Sequence, residues 1–142
     1  MDFSHKNVLV VGVGISGNAV AKVAKMQGAD KVVLSDAKAE QDLKYNLTDV
    51  RAASVELVFG PQENTLLDNV DMVILSPAVP VRLPLVQEAY KREIPVVSEV
   101  QVAYELAKSP ILAVTGTNGK TTTVTLLGEL MKTRYPDAGE GG

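Results

Sequence analysis

The chain has 142 residues, a formal net charge of −3 and 46% hydrophobic residues, which suits one globular domain with a substantial core. Its mild acidity argues against a nucleic-acid-binding protein, and the few aromatic residues leave little surface for base stacking. No apolar run approaches the roughly 20 residues of a membrane span. Residues 1–6 lack the apolar core of a signal peptide, and the absence of cysteine excludes disulfides, so we expect a cytoplasmic protein with no membrane partner.

Short apolar segments alternate with helical patterns over most of the chain. Asn7–Val11 is a continuous apolar run, which is typical of a strand buried on both faces. Further strands are predicted at 31–35, 55–59, 70–75 and 94–98. Helices are predicted at 16–27, 64–69, 83–92 and 99–108, and a loop with a weak helix at 37–49. This alternation is typical of βαβ units, so we expect an α/β fold with a Rossmann-like parallel sheet flanked by helices.

A glycine-rich loop follows the first predicted strand. Gly12-x-Gly14-x-x-Gly17, with Asp36 about 20 residues further on, matches the dinucleotide-binding fingerprint. The glycines permit a tight turn and close approach of a diphosphate, and the acid accepts hydrogen bonds from a ribose or a base. One interpretation is therefore an NAD(P)-binding domain of an oxidoreductase, and another is a nucleotide-sensing module. The structural alternative is a tightly packed β–α turn that binds nothing.

A second glycine-rich loop follows the apolar stretch 111–114, which predicts a strand, and precedes an apolar helical pattern. Such a loop at a helix N-terminus offers unpaired N–H groups to a phosphate. Lys120 is the candidate catalytic residue and would contact the β- and γ-phosphates of ATP, while the Thr121 hydroxyl is the candidate Mg²⁺ ligand. The common P-loop pattern has a glycine where this chain has Val114, so a plain β–α turn is the alternative. The predicted cofactor-binding residues are Gly116, Thr117, Asn118, Gly119, Lys120, Thr121 and Thr122.

The loop from Gly116 to Thr122 resembles the ATP-binding loop of the Mur ligase family, which builds the peptide stem of bacterial peptidoglycan. Asn118 favours the branch that adds D-glutamate, because the branch that adds L-alanine usually carries histidine there. The resemblance covers nearly the whole chain. It implies that residues 1–98 form a Rossmann-like domain holding the UDP of UDP-N-acetylmuramoyl-L-alanine. Residues 99–142 would then be a linker helix and the start of a central ATP-binding domain.

The resemblance also implies which residues contact the UDP-linked substrate. These are Gly14, Ile15, Ser16, Gly17, Asp36, Ala37, Lys38, Ser76, Pro77, Ala78 and Val79. Two of them depart from the family pattern. Ala78 stands where the family usually has glycine after Ser-Pro, and Lys38 replaces an arginine, which weakens any planar stacking contact.

The reaction that the resemblance implies for the full-length enzyme is formation of an amide bond driven by ATP. The substrate carboxylate attacks the γ-phosphate to give an acyl phosphate, and the amine of D-glutamate then displaces phosphate. Lys120 and Mg²⁺ would stabilise the charge on the transferring phosphoryl group.

The end of the chain predicts a truncation. One strand and one helix cannot bury themselves as a domain, and residues 137–142 contain no core-forming side chain. We therefore expect an N-terminal fragment without ligase activity of its own. The D-glutamate site would lie beyond residue 142, in an enzyme of the bacterial cytoplasm that is monomeric at full length. Glu99 and Glu105, on one predicted helix, are expected to be solvated surface charges.

Overall fold

The computed structural model describes residues 1–108 and 110–136, which divide into two compact units. The first unit ends at Leu106 and the second begins at Ala107. The strands of the first unit are β1 (Asn7–Val11), β2 (Lys31–Asp36), β3 (Glu56–Phe59), β4 (Met72–Leu75) and β5 (Val96–Ser98). Its helices are α1 (Ile15–Met26), α2 (Thr48–Ala52), α3 (Pro84–Lys91) and α4 (Glu99–Leu106), with 3₁₀ turns at Glu40–Asp42 and Asn64–Leu67. All pairings are parallel, in the order β3-β2-β1-β4-β5, which confirms the predicted α/β fold.

The apolar run of β1 is continuous because helices cover both faces of the sheet. Val8 and Val10 belong to the cluster that includes the buried side of α1, whereas Leu9 and Val11 belong to the cluster that includes α3. All four side chains are at most 1% exposed. Full burial of an aliphatic side chain of this size stabilises a fold by about 1.5–3 kcal/mol, so this strand anchors both layers of the core.

The order of the strands places a topological switch point at β1. The chain pairs β1 with β2 on one side and returns to pair it with β4 on the other. Open α/β sheets bind ligands at the carboxyl ends of the strands where the winding reverses. The loop between β1 and α1 lies at that point, so the topology by itself directs attention to residues 12–14.

The helix α4 belongs to the first unit, although the sequence assigns it to the segment after residue 98. It begins at Glu99 because Ser98 caps it: the Gln101 N–H donates to Ser98 Oγ at 3.1 Å. Val102 is 2% exposed and lies in the same core cluster as the buried side of α1. The packing of this helix against α1 therefore extends the first unit to Leu106.

The strand predicted at 111–114 is wrong. This stretch has no regular secondary structure, and the side chains of Ile111 and Leu112 are 54% and 63% exposed. A strand is stabilised by hydrogen bonds to a neighbouring strand, and no strand among the described residues pairs with it. A helix, α5 (Lys120–Arg134), does follow the loop, with no buried residue.

The tail at 137–142, which is one of the two grounds for predicting a truncated chain, lies outside the described residues. Among residues 1–108 and 110–136, no helix combines the length and apolar character that crossing a membrane requires.

Candidate functional site

Gly12, the first residue after β1, is a glycine for steric reasons. Its φ of +102° lies in the region that favours glycine, and its N–H donates to the Ser35 carbonyl at 2.8 Å. A Cβ added here would lie 2.8 Å from Ser76 Cβ and 2.8 Å from Val79 Cγ2. The turn at residue 12 therefore brings the end of β1 against the loop that follows β4.

Gly17 and Gly14 serve different purposes. A Cβ on Gly17 would lie 2.1 Å from the Gly12 carbonyl oxygen, so α1 could not pack this close to the turn with any other residue. Gly14 precedes α1 with an extended backbone (φ −179°), and the nearest atom to a Cβ there would be the Tyr45 hydroxyl at 3.9 Å. Packing therefore explains Gly12 and Gly17, whereas a Cβ on Gly14 would meet only the Tyr45 ring, at an ordinary van der Waals distance.

The N-terminus of α1, next to Gly14, has unpaired amides. The Asn18 N–H donates to the Gly14 carbonyl at 2.9 Å and is the first bond of the helix. The amides of residues 15–17 come before it and have no partner within the helix. Unpaired amides and the positive end of the helix dipole suit an anion, so the region next to Gly14 favours phosphate.

Asp36, at the carboxyl end of β2, holds the loop in place. Its Oδ2 accepts the Val13 N–H and its Oδ1 accepts the Lys38 N–H, both at 2.9 Å. The sequence predicts this carboxylate as an acceptor for a ligand hydroxyl or base, and the structure shows an additional structural role. Each carboxylate oxygen can accept a further hydrogen bond, so the two roles are compatible.

The turn after β4 completes the edge. The side chain of Ser76 is buried, its N–H donates to the Val11 carbonyl at 3.0 Å, and its carbonyl accepts the Val79 N–H at 3.0 Å. Ala78 is exposed and does not adopt a positive φ. The alanine in place of the family's usual glycine therefore costs no backbone strain in this turn.

Three of the predicted substrate-binding segments meet at this edge. The residues of 14–17, 36–38 and 76–79 all lie at the carboxyl ends of β1, β2 and β4. A cleft of about 260 Å³ adjoins the third segment, and it is lined by Leu75, Ser76, Pro77, Val79, Val81, Tyr90, Val96, Val97 and Ser98. A larger cleft of about 520 Å³ lies at the amino ends of the strands and is lined by none of the predicted site residues.

The sequence missed Glu99, which it predicts as a solvated charge. The residue is 9% exposed, and its Oε2 has no hydrogen-bond partner among the described residues. Burial raises the pKa of the Glu99 carboxyl, while the Ser16 hydroxyl and the backbone of Glu99 itself act in the opposite direction by favouring the charged form. Only the packing of α4 against α1 reveals this burial, so no signal in the sequence could have found it.

Tyr45 was also missed, in a loop read only as polar. It is 43% exposed, and its hydroxyl is the nearest atom to a Cβ on Gly14, at 3.9 Å. An isolated aromatic residue in an otherwise polar loop was the available signal.

The second glycine loop is exposed to solvent, and the backbone dihedral angles of its residues require its glycines. Gly116 (φ +154°) and Gly119 (φ +77°) both have positive φ, and the Thr123 N–H donates to the Gly119 carbonyl at 2.9 Å to begin α5. Lys120 and Thr121, the first residues of α5, are exposed. Free amides, an exposed ammonium and a hydroxyl fit a phosphate. For Mg²⁺ the fit is partial, because the described residues contain no group of three His, Cys, Asp or Glu able to hold a metal.

Comparison with known sequences identifies the family. The family described as "Mur ligase MurD-like, N-terminal domain" matches residues 6–98. The chain is 43% identical over 132 residues to the UDP-N-acetylmuramoylalanine–D-glutamate ligase of Thermoanaerobacter sp. (strain X514), which covers 93% of this chain and 29% of that protein. It is 47% identical over 131 residues to the ligase of the same name from Pelotomaculum thermopropionicum. The chain thus spans about 29% of the length of these relatives.

Solved structures of related ligases have a similar fold. UDP-N-acetylmuramate-alanine ligase MurC from Thermotoga maritima superposes with a TM-score of 0.57 at 28% identity, covering 90% of this chain and 29% of that one. A murein peptide ligase from Psychrobacter arcticus superposes with a TM-score of 0.64 at 22% identity, covering 91% of this chain and 27% of that one, and supports the fold alone. The chain therefore belongs to the Mur ligase family, and its residues 6–98 form a MurD-like N-terminal domain.

Proposed function

We propose that the first unit binds the UDP group of UDP-N-acetylmuramoyl-L-alanine, and that the chain is the N-terminal part of the ligase that adds D-glutamate to this substrate. The observation that carries the proposal is that Gly14, which neither a positive φ nor a close neighbour requires, adjoins the free amides that begin α1. These amides lie at the switch point of the sheet, where ligands of open α/β folds bind. The relatives named above support the choice of substrate.

In the proposed binding mode, the ligand lies along the three segments at the carboxyl edge of the sheet. The diphosphate lies over Gly14 and accepts the free amides of residues 15–17, where the helix dipole adds to the attraction. The uridine lies beside Asp36, Ala37 and Lys38, and residues 76–79 line the same pocket. Lys38, which is exposed, acts there as a point charge rather than as a planar stacking group.

We assign the second loop to ATP. Residues 116–122 present the first-turn amides of α5 to the phosphates, Lys120 carries the charge that stabilises the transferring phosphoryl group, and Thr121 supplies one oxygen to Mg²⁺. Phosphate oxygens and water would complete the metal shell. In the full-length protein the substrate carboxylate becomes an acyl phosphate that the amine of D-glutamate attacks, at a site outside this chain. We assign that enzyme to the bacterial cytoplasm as a monomer.

The first experiment is calorimetric titration of the 142-residue chain with UDP and, separately, with NAD. The proposal predicts binding of UDP and not of NAD. Gly14→Leu should weaken UDP binding by about tenfold or more, because it adds a bulky side chain next to the amides that would bind the diphosphate. Ala19→Leu, at an exposed position of the same helix, is the matched control and should bind UDP as the wild type does.

Each outcome decides between the interpretations. NAD binding without UDP binding would favour the domain of an oxidoreductase and would contradict the proposal. Failure to bind either ligand would overturn the proposed site, as would a Gly14→Leu variant that keeps the wild-type affinity for UDP.

A further inference from the structure

Glu99 is a buried carboxyl beside the proposed diphosphate site for which the proposed pose has no use. It is the first residue of α4 and is 9% exposed. The Ser16 hydroxyl lies in the first turn of α1, and its hydrogen bonding lowers the pKa of this carboxyl. Even so, the buried Oε2 has no hydrogen-bond partner among residues 1–108 and 110–136. The contact with Ser16 therefore leaves the carboxyl incompletely satisfied.

The stability of α4 does not require a buried glutamate at position 99. An acid in the first turn of a helix is favourable through the helix dipole when it is charged and solvated, but burying that charge without full hydrogen bonding is costly. Ser98 already caps α4 by accepting the Gln101 N–H. A glutamate buried at this position thus carries a cost that the helix does not require.

No charged side chain accounts for the raised pKa of Glu99. The elements packed against α4 are α1 and β5. The charged residues of α1 are Lys22 and Lys25, and neither acts on this carboxyl, while β5 contains no titratable group. Within α4, Glu105 pairs with the amino terminus at 3.2 Å and Tyr104 is 70% exposed. Burial, which raises the pKa of Glu99, is opposed only by the Ser16 hydroxyl and the backbone of Glu99.

The Ser16 hydroxyl has a single proton, and Glu99 determines where it goes. An ionised Glu99 can only accept, so it draws the Ser16 proton inward. A protonated Glu99 can donate to Ser16 Oγ, which frees the Ser16 proton for a phosphate oxygen. A bound diphosphate also adds negative charge near the carboxyl, which further favours its neutral form.

We propose that Glu99 is a positioning residue that takes up one proton from solvent when the diphosphate binds, and thereby turns the Ser16 hydroxyl toward the phosphate. This inference rests on the proposed function, because it needs the diphosphate at the N-terminus of α1. By linkage, the affinity for the diphosphate is highest when Glu99 is already protonated. It falls as the pH rises through the raised pKa of Glu99, above the ordinary carboxyl value of 4.5.

The test is calorimetry with UDP-glucose, whose diphosphate is a diester and does not titrate near neutral pH. Titrations in buffers of different ionisation enthalpy measure the protons taken up on binding. We expect up to one proton per ligand for the wild type, and a Kd that rises by at most about tenfold per pH unit. Glu99→Gln, whose amide N–H can still donate to Ser16 Oγ, should bind without proton uptake and with a Kd that does not depend on pH.

Ser16→Ala is the second variant, and it should reduce proton uptake, because the charge of the diphosphate still favours the neutral carboxyl but the exchange of the hydroxyl proton is lost. Thermal unfolding of both variants confirms that they fold. Binding by the wild type without proton uptake, uptake that persists in Glu99→Gln, or undiminished uptake in Ser16→Ala would overturn the role of Glu99 and leave the proposed function intact. Failure of the wild type to bind UDP-glucose would overturn both.

Discussion

The two glycine-rich loops of this chain look alike in sequence and differ in what requires their glycines. In the first loop, a Cβ on Gly17 would lie 2.1 Å from a backbone oxygen, and one on Gly12 would meet two side chains at 2.8 Å. In the second loop, a Cβ on Gly119 would meet no atom within 4 Å, and one on Gly116 would meet only the Asn118 carbonyl oxygen at 3.7 Å. In the first loop, close packing against the surrounding fold requires Gly12 and Gly17. In the second loop, the positive φ angles alone require the glycines.

This difference teaches how to interpret a glycine motif. Where packing already explains a glycine, its presence says little about a ligand, as at Gly12 and Gly17. Gly14 is the informative position, because neither a positive φ nor a close neighbour requires it. In the second loop, positive φ explains both glycines, so the support for phosphate comes from the exposed Lys120 and Thr121 instead.

Gly17→Ala should give the largest effect and tests whether packing fixes the first loop. The added methyl collides with the Gly12 carbonyl, so α1 must shift, and we expect a loss of at least about 3 kcal/mol in the free energy of unfolding. Urea denaturation followed by circular dichroism measures it. The control is Gly14→Ala, where the added methyl would meet only the Tyr45 ring at an ordinary contact distance, with a loss of no more than about 1 kcal/mol. Equal losses in the two variants would refute the distinction between these glycines.

Asp36→Ala should give the next largest effect, because the first loop also depends on contacts distant in sequence. The variant leaves the amides of Val13 and Lys38 without their carboxylate acceptor. We expect a loss of about 2 kcal/mol, seen as a lower urea midpoint and faster hydrogen exchange at Val13. Asp42→Ala, at an exposed position, should change the stability by less than about 0.5 kcal/mol. An unchanged exchange rate at Val13 would argue against the structural role of Asp36.

Gly119→Ala tests the second loop, where only the dihedral angle opposes a side chain. A left-handed alanine costs about 1–2 kcal/mol, so amides in the first turn of α5 should exchange at least about fivefold faster. Gly119→Asn should show a smaller increase, since asparagine tolerates this conformation better. The urea midpoint of the first unit should not change in either variant. Indistinguishable exchange in the alanine and asparagine variants would show that the dihedral angle is not the constraint.

Glu99→Gln should give the smallest change in stability, and its sign depends on pH. The folded protein holds the proton of Glu99 more tightly than the unfolded chain does, because burial raises the pKa of this carboxyl. Wild-type stability therefore declines as the pH rises from 4.5 through the raised pKa. The variant should gain thermal stability over the wild type above that window and show no gain below it. A constant difference across the pH range would indicate that Glu99 does not titrate on folding.

Most of the first unit could be predicted from the sequence because its signals are local. The apolar run of β1, the glycines after it and the alternation of strands and helices each act over a few residues. The strand predicted at 111–114 failed because a strand depends on a partner that local sequence cannot supply. The pattern of those residues was correct for a strand, and only the pairing was absent among the described residues.

The candidate site could likewise be predicted only in part from the sequence. The sequence located Gly14, Asp36 and Ser76 at one edge because parallel strands bring their carboxyl ends together. It could not show that the Asp36 carboxylate already accepts two amides, nor that Glu99 is buried, since both follow from packing between segments distant in sequence. These tertiary contacts fix the shape of the loop, and they can be seen only in the folded structure.

The measurement that tests the central claim most directly is a map of amide chemical-shift changes when UDP is added to the 142-residue chain. The claim predicts that the changes concentrate at residues 14–17, 36–38 and 76–79, at the carboxyl edge of the sheet, and leave the first turn of α5 unaffected. Changes centred on residues 116–122, or no changes at saturating UDP, would contradict it.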